Sequence, residues 1–261
     1  MKVIYFDCNM GAAGDMLSGA LLELLPEEER PKFIEELNAL GLPGVEFAAV
    51  PSVKCGITGT HMKVTVNGQT EGEKHHHHHE HHHEHSNEHE HHHSGMHDIE
   101  HLVKGHLNVP EKVKSDILEV YGLIARAESH AHGVPVTEIH FHEVGTMDAV
   151  ADVTAVCLLM DRLAPERVIV SPVHVGSGQV RCAHGILPVP APATAHILTG
   201  VPIYGGKIKG ELCTPTGAAL LRHFADSFGD MPVMTLLRVG YGMGTKDFEA
   251  ANLVRAMLGE A

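Results

Sequence analysis

One stretch, from Ile139 to Asp152 and reading IHFHEVGTMDAVAD, constrains the fold of this chain more than any other. His140 and His142 alternate with apolar residues, and this period of two predicts a short strand with both imidazoles on one face. Thr146 can cap a helix, because its hydroxyl can accept from the first free N–H groups. The apolar run that follows, Met147–Leu163, has the length of a helix. The stretch therefore predicts a strand, a tight turn and a helix in succession.

The same stretch collects side chains of the types that bind transition metals. Asp148 and Asp152 are four residues apart, so both carboxylates should lie on one face of the first helical turns. Neutral imidazole together with carboxylate is a ligand set that suits Ni, Zn, Mn and Fe. We therefore expect metal ligands among His140, His142, Asp148 and Asp152. The alternative is a strand end with satisfied histidines and a helix start that favours acidic residues through its dipole.

A second metal-binding feature is the segment from His75 to His93. It spans 19 residues, of which 13 are histidine and four are glutamate, and none is apolar. Because it cannot bury apolar area, we expect a disordered loop. Its internal position and irregular glutamate spacing argue against a purification tag. Dense imidazole should bind Ni, Cu or Zn, although a flexible tract fixes no geometry for chemistry. The ligands expected at its start are His75, His76, His77, His78, His79, His81, His82 and His83.

Composition bounds the class of protein. The 261 residues are 43% hydrophobic, which suffices for a sizeable core. The formal net charge of −14 argues against a nucleic-acid or anionic-membrane partner. We see no export signal and no apolar run with the length of a membrane span. The five cysteines form no CxxC pair, which favours reduced thiols and a cytoplasmic location.

The pattern of the whole chain predicts an α/β fold, with a mixed sheet, flanking helices and a disordered His-rich insertion. We divide it into three parts. Residues 1–73 form the N-terminal part of the α/β core, and residues 74–94 form the His-rich metal-binding loop. Residues 95–261 form the remainder of the core, with the IHFHEVG motif. Near the end, Gly240–Gly244 predicts a loop that leads into a last strand at Leu253–Leu258.

A loop of small residues follows the first predicted strand, Val3–Phe6. Gly11 and Gly14 would let backbone N–H groups approach a ligand, and Asp7 and Asp15 stand at the two ends of the loop. A strand, a glycine-containing loop and a helix together predict an anion or metal–phosphate site. The loop lacks the Lys-Ser/Thr ending of a P-loop and does not match GxGxxG. An ordinary strand-to-helix turn is therefore the alternative.

Two later segments could also contact a ligand. After a strand expected at Arg167–Val175, Arg181 and His184 stand in a polar stretch punctuated by glycines, which suits close approach of a ligand. Further along, a threonine can cap an Ala/Leu-rich helix whose N-terminus could hold a phosphate or carboxylate. A plain capped helix is the alternative there. The residues of that helix start are Thr214, Thr216 and Gly217.

Five motifs in this order resemble one known family. They are FDCNMGAAGDM at 6–16, IHFHEVGTMDAVAD at 139–152, SPVHVGSGQVRCAHGILPVPAPAT at 171–194, GELCTPTGAALL at 210–221 and VGYGMGTKDF at 239–248. The set is similar to the LarC family, the nickel-insertion enzymes of the nickel-pincer cofactor used by lactate racemase. That family also carries a histidine-rich insertion of variable length. The resemblance covers essentially the whole chain.

The resemblance implies a nickel chelatase, or cyclometallase, of the lyase class. Such an enzyme places Ni(II) into pyridinium-3,5-bisthiocarboxylic acid mononucleotide, so that two thiocarboxylate sulfurs and a ring carbon become metal ligands. The family's reaction consumes CTP with a divalent cation, Mg or Mn. Members of the family usually continue into a C-terminal domain linked to CTP binding. We therefore expect a C-terminal domain or partner chain, lactate racemase downstream, and a homo-oligomer.

The chemistry of insertion suggests roles for the residues of the motifs. His140, His142, Glu143 and Asp148 would hold nickel or take the ring proton, and a neutral histidine suits proton transfer near neutral pH. Asp7 and Asp15 would complete a metal–phosphate site. The mononucleotide would meet a third set of residues, Gly11, Gly14, Arg181, His184, Thr214, Thr216 and Gly217. Two alternatives stay open, a nickel storage or delivery protein without chemistry of its own and a metal-dependent phosphohydrolase.

Overall fold

The computed structural model describes residues 1–70, 95–141, 143–182 and 184–261, without the side chain of Glu143. The expected disorder of the His-rich tract lies outside the described residues. Seven α-helices and thirteen strands are assigned in the described ranges. The helices are α1 (Gly14–Glu23), α2 (Arg30–Asn38), α3 (Met96–Gly105), α4 (Glu111–His132), α5 (Met147–Leu163), α6 (Pro192–Ile197) and α7 (Pro215–Phe224). The strands are β1 (Lys2–Asp7), β2 (Val45–Lys54), β3 (Ile57–Val66), β4 (Arg167–Val170), β5 (Val173–His174), β6 (Gly176–Ser177), β7 (Gln179–Cys182), β8 (Gly185–Pro188), β9 (Ile203–Tyr204), β10 (Gly210–Glu211), β11 (Ser227–Phe228), β12 (Thr235–Met243) and β13 (Leu253–Glu260).

A seven-stranded mixed sheet, in the order β11-β4-β1-β13-β12-β3-β2, forms the centre of the fold. β1 pairs in parallel with β4 and antiparallel with β13, so the first and last strands are neighbours. The two strands β2 and β3 form a long antiparallel hairpin at one edge. The remaining short strands form two-stranded pairs beside the sheet. The prediction of an α/β fold with a mixed sheet is confirmed.

The two faces of the sheet are covered unequally. Ile4 and Phe6 of β1 point into the large core that the helices share with the sheet. Val3 and Tyr5 point to the opposite face, because successive strand residues alternate. There they join a small cluster with Ile169 and Met257. The helices bury one face of the sheet and the small cluster buries the other at β1, which explains why β1 is a continuous apolar run.

α1 lies directly on the neighbouring strands because glycines remove the side chains between them. A Cβ atom on Gly242 would lie 1.7 Å from the carbonyl oxygen of Met16, and one on Gly240 would lie 2.0 Å from that of Ala20. Both glycines belong to β12, so the expectation of a loop at Gly240–Gly244 is wrong for all but its last residue. The glycines of this segment make room for α1. From the sequence alone, glycines that permit close packing cannot be told from glycines that form a turn.

The segment before α5 also differs from its prediction. Ile139 and Phe141 are buried and His140 is exposed, as the alternation indicated. Among the described residues 139–141, however, only an isolated bridge at Phe141 is assigned, and short 3-10 turns occupy Val136–Glu138 and Glu143–Gly145. Alternating hydrophobicity specifies which side chains are buried, but a strand also needs a neighbouring backbone to pair with. The helix prediction is confirmed, with Thr146 as the N-cap that accepts from the N–H of Ala149 at 3.5 Å.

The described residues contain no helix with both the length and the apolar character needed to cross a bilayer. The five cysteines are all unpaired thiols, as their spacing predicted.

Candidate functional site

The loop after β1 is tied to the segment that precedes α7. Gly11 has a φ of +80°, and a Cβ there would lie 2.0 Å from the carbonyl oxygen of Leu212. The N–H of Ala12 donates to Leu212 at 3.0 Å, and the N–H of Thr214 donates to the carbonyl of Ala12 at 3.0 Å. Two motifs about 200 residues apart in the sequence thus form one backbone ladder.

The start of α7 is pressed against the same loop. Thr214 is the N-cap, and its hydroxyl accepts from the N–H of Gly217 at 3.1 Å. A Cβ on Gly217 would lie 2.2 Å from the carbonyl oxygen of Ala12, so only glycine fits there. Of the two threonines that could cap, Thr214 does so and Thr216 is buried in the first turn.

The first turns of α5 reach this place too. A Cβ on Gly14, the first residue of α1, would lie 2.6 Å from the carboxylate of Asp152. We call the meeting place of residues 11–15, 146–152 and 212–217 the helix-start site. The N-terminal ends of helices carry partial positive charge and unpaired N–H groups, so their convergence suits an anion. Asp15 and Asp152 add carboxylates, which suit a cation beside that anion.

Buried groups close to the site are held in their neutral forms. Burial raises the pKa of the Tyr121 phenol, and the nearby Asp152, Cys157 and Asp148 raise it further. Its hydroxyl donates to the carbonyl of Val144 at 3.1 Å, which anchors the turn before α5. Burial also raises the pKa of the Cys8 thiol, and Cys213 beside it adds to the effect. Burial likewise raises the pKa of the Cys213 thiol, so both thiols are protonated in the metal-free protein.

His61, which we did not single out from the sequence, lies beside the helix-start site. Its Nδ1 atom is 3.0 Å from the carbonyl oxygen of Met243 and 3.7 Å from Oδ2 of Asp15. A carbonyl oxygen can only accept, so Nδ1 carries the hydrogen and the lone pair of the neutral ring is on Nε2. A tautomer fixed in this way is typical of histidines that bind a metal or accept a proton. The sequence offered no signal, because Met243 comes next to His61 only through the pairing of β3 with β12.

Two polar residues, Asp7 at the end of β1 and His174 of β5, brace the loop after β1. Oδ2 of Asp7 accepts from the guanidinium of Arg255 on β13, and Oδ1 accepts from the N–H of Asn9 at 3.2 Å. His174 is buried, with Nδ1 2.8 Å from the carbonyl oxygen of Asn9. Its ring stacks on Tyr204 at 4.6 Å between centroids. The carboxylate of Asp7 is therefore ion-paired, and a metal there would compete with Arg255.

Arg181 and His184 belong to the hairpin of β7 and β8 and its turn, where both side chains are exposed. The ring of His184 lies 4.7 Å from that of His132 at the end of α4. Nε2 of His132 is 3.3 Å from Oε2 of Glu128. These contacts place His184 beside His132 on the surface of the protein.

The metal ligands themselves stay a prediction. His142, the side chain of Glu143 and the tract from His75 to His83 lie outside the described residues. Within residues 1–70, 95–141, 143–182 and 184–261, no group of three or more His, Cys, Asp or Glu side chains is placed to hold a metal ion. His140 is exposed on the turn before α5, while Asp148 and Asp152 share the first turns of that helix.

Comparison with known proteins gives consistent matches over the whole chain. A family described as "Nickel insertion protein" matches residues 4–261. The protein from Clostridium kluyveri is 41% identical over 263 residues, which cover 100% of this chain and 62% of that relative. Proteins from Desulfitobacterium hafniense and Geobacillus kaustophilus are 40% and 38% identical, again over 100% of this chain and over 59% and 60% of their own lengths.

All three relatives are named pyridinium-3,5-bisthiocarboxylic acid mononucleotide nickel insertion protein. This chain spans about 60% of the length of these relatives. No solved structure was found to match it.

Proposed function

Because this chain belongs to the nickel insertion protein family, we propose that it acts in inserting Ni(II) into pyridinium-3,5-bisthiocarboxylic acid mononucleotide. The product would be the nickel-pincer cofactor of lactate racemase. The observation that carries the proposal is the helix-start site, where helix N-termini meet carboxylates. A substrate with a phosphate and a metal cation as cargo needs both kinds of group within reach.

Insertion breaks one ring C–H bond and forms one carbon–nickel and two sulfur–nickel bonds. The electron pair of the C–H bond becomes the carbon–nickel bond, and the proton must leave to a base. We propose His140, His142, Glu143 and Asp148 as the residues that hold nickel or take this proton. We add His61, because its hydrogen-bonded Nδ1 leaves Nε2 as the basic atom of the neutral ring.

The mononucleotide phosphate would bind at the N-terminal turns of α1 and α7. Gly11, Gly14 and Gly217 support this role, because their lack of side chains lets the backbones approach one another closely. Asp15 and Asp152 would hold a cation against the phosphate, with Asp7 at the edge of the site. The exposed residues proposed to reach the substrate from the β7–β8 hairpin are Arg181 and His184.

Other parts of the proposal rest on the resemblance to the family. We propose that the reaction consumes CTP with Mg or Mn through a C-terminal domain or partner chain, and that it belongs to the lyase class. We also propose a division of the chain at residues 74 and 94, from the composition of the His-rich tract, and a cytoplasmic location, from the spacing of the cysteines. A homo-oligomeric state is proposed as well. Lactate racemase would be the recipient of the product.

A second candidate function is nickel storage or delivery without chemistry. The 13 histidines between His75 and His93 favour it, because such a density of imidazole collects borderline divalent ions. Storage or delivery alone would not explain the backbone ladder between two distant motifs. It would also not explain why the ring of His61 is fixed.

The proposal is tested by an insertion assay with Ni(II), the precursor and CTP–Mg, read by activation of lactate racemase. We expect the 261-residue chain alone to insert nickel poorly, and the C-terminal part of a relative to restore the activity. Full turnover by the chain alone would show that the C-terminal domain is dispensable. No product with both parts present would contradict the proposed function itself.

A further inference from the structure

A groove of about 500 Å³ lies on the outer side of the helix layer, between α3, α4 and α7. That volume is in the range of small-molecule sites. Leu118 and Leu123 of α4 and Met96 of α3 supply apolar lining. Two arginines, Arg126 of α4 and Arg222 of α7, also line it, and both are exposed.

The acidic residues of the groove each have a polar or charged partner, and His223 adds a positive charge there only when it is protonated. Glu100 is paired with Lys104 at 3.0 Å. Glu119 lies 3.6 Å from Nδ1 of His223 and accepts from the hydroxyl of Ser115 at 3.2 Å. The other nitrogen of His223 contacts Asp116 at 3.0 Å.

The two arginines are not compensated in this way. In the described part of the chain, no ion pair or hydrogen bond includes the guanidinium of Arg126 or of Arg222. The groove therefore offers two positive charges on a chain whose formal net charge is −14. Arg222 in the last turn of α7 also suits the dipole of that helix. The helix dipole does not explain Arg126, because Arg126 stands six residues before the end of α4.

Gly122 opens the wall of α4 below Arg126. Glycine inside a helix costs about 1 kcal/mol relative to alanine, so its presence needs a reason. Close packing among the described residues is not that reason, because outside the backbone of α4 the only described atom within 4 Å of a Cβ at this position is Nη1 of Arg126, at 3.3 Å. The missing side chain leaves a notch that a ligand of Arg126 can enter.

We propose that this groove binds a small phosphate ester, with the phosphate on Arg126 and Arg222 and the organic part against Leu118 and Leu123. The planar guanidinium fork matches phosphate oxygens better than any other side chain does. The site is separate from the helix-start site, because Arg222 stands eight residues beyond Thr214, or about 12 Å along α7. It is independent of the proposed nickel chemistry.

Calorimetric titration of the metal-free 261-residue chain tests the proposal, with AMP and inorganic phosphate as probes. Mildly alkaline buffer keeps the histidines neutral, so that the His-rich tract does not attract the anions. We expect the groove to bind AMP more tightly than inorganic phosphate, and more weakly as salt is raised. Arg126→Ala and Arg222→Ala should each weaken AMP binding about tenfold.

Arg167→Ala is the matched control, because it removes the same charge from an exposed position on β4. It should leave the affinity for AMP within about twofold. Gly122→Leu should abolish binding without loss of thermal stability, since leucine favours a helix and fills the notch. Absence of saturable AMP binding, equal affinity for AMP and phosphate, or equal losses in all three arginine variants would each overturn the proposal.

Discussion

The histidines described in this fold form two groups that the sequence does not separate. The held histidines are His61 and His174, whose rings lie within 3.0 Å of backbone carbonyl oxygens of distant segments. Among the exposed histidines are His130, His132 and His196, which stand at the end of α4 and on α6. The rings of His130 and His196 stack on each other, with centroids 4.4 Å apart, and leave their edges to solvent.

The difference shows what each group can do. The ring of His61 has one tautomer and one position, which an acid–base step requires, whereas both ring nitrogens of His174 face carbonyl oxygens. An exposed ring can bind an ion but does not fix where the ion sits relative to a substrate. The many histidines between His75 and His93 would thus be suited to collecting nickel, and a ring fixed like that of His61 would be suited to chemistry. The predictions below test this division, beginning with the largest effect.

Gly242→Ala should disturb the packing that places Met243 beside the held histidine His61. The new Cβ would lie 1.7 Å from the carbonyl of Met16, so α1 must move away from the strand that carries Met243. We expect a loss of about 3 kcal/mol in the free energy of unfolding, measured by urea denaturation. Gly105→Ala is the control, since nothing lies within 4 Å of that position, and it should be neutral or stabilising. Equal effects of the two substitutions would contradict the close approach.

His61→Asn should separate the structural role of the His61 hydrogen bond from the role of its basic Nε2 atom. An asparagine amide can still donate to the carbonyl of Met243, but it has no atom that replaces Nε2. With the C-terminal part supplied, we expect nickel insertion about 100-fold slower and an unchanged melting temperature. Wild-type rates in this variant would mean that His61 contributes only its hydrogen bond to Met243.

Thr214→Ala should have a moderate effect, because it removes only the cap of α7. The N–H of Gly217 would lose its acceptor at 3.1 Å. We expect a loss of about 1 kcal/mol in the free energy of unfolding, and Thr214→Ser should restore it. If alanine and serine behave alike, the hydroxyl does not stabilise this helix start.

His130→Ala should have the smallest effect, since it removes an exposed histidine. We expect the free energy of unfolding to change by less than about 0.5 kcal/mol. The insertion rate at saturating nickel should not change. A rate loss as large as that of His61→Asn would remove the distinction between held and exposed histidines.

The elements that sequence predicted well are those with local causes. The helix at Met147–Leu163 follows from its apolar run and its threonine cap, and the capped start of α7 follows from Thr214 and Pro215. The failures have non-local causes. Gly240 and Gly242 are explained by a helix that packs across them, and His61 by a carbonyl on the neighbouring strand. Ile139, His140 and Phe141 keep the predicted alternation of burial, but no strand is assigned to them.

A nickel titration of the insertion reaction tests the division between collection and chemistry most directly. Three variants are compared with the wild-type chain, each with the C-terminal part present: His142→Ala, Asp148→Ala and deletion of residues 75–93. We expect the two substitutions to abolish insertion at every nickel concentration, because His142 and Asp148 are proposed to hold nickel or to take the ring proton. The deletion should slow insertion only when nickel is scarce. The account would be contradicted if excess nickel rescued both substituted variants but not the deletion. The histidine tract would then be the site of the insertion reaction.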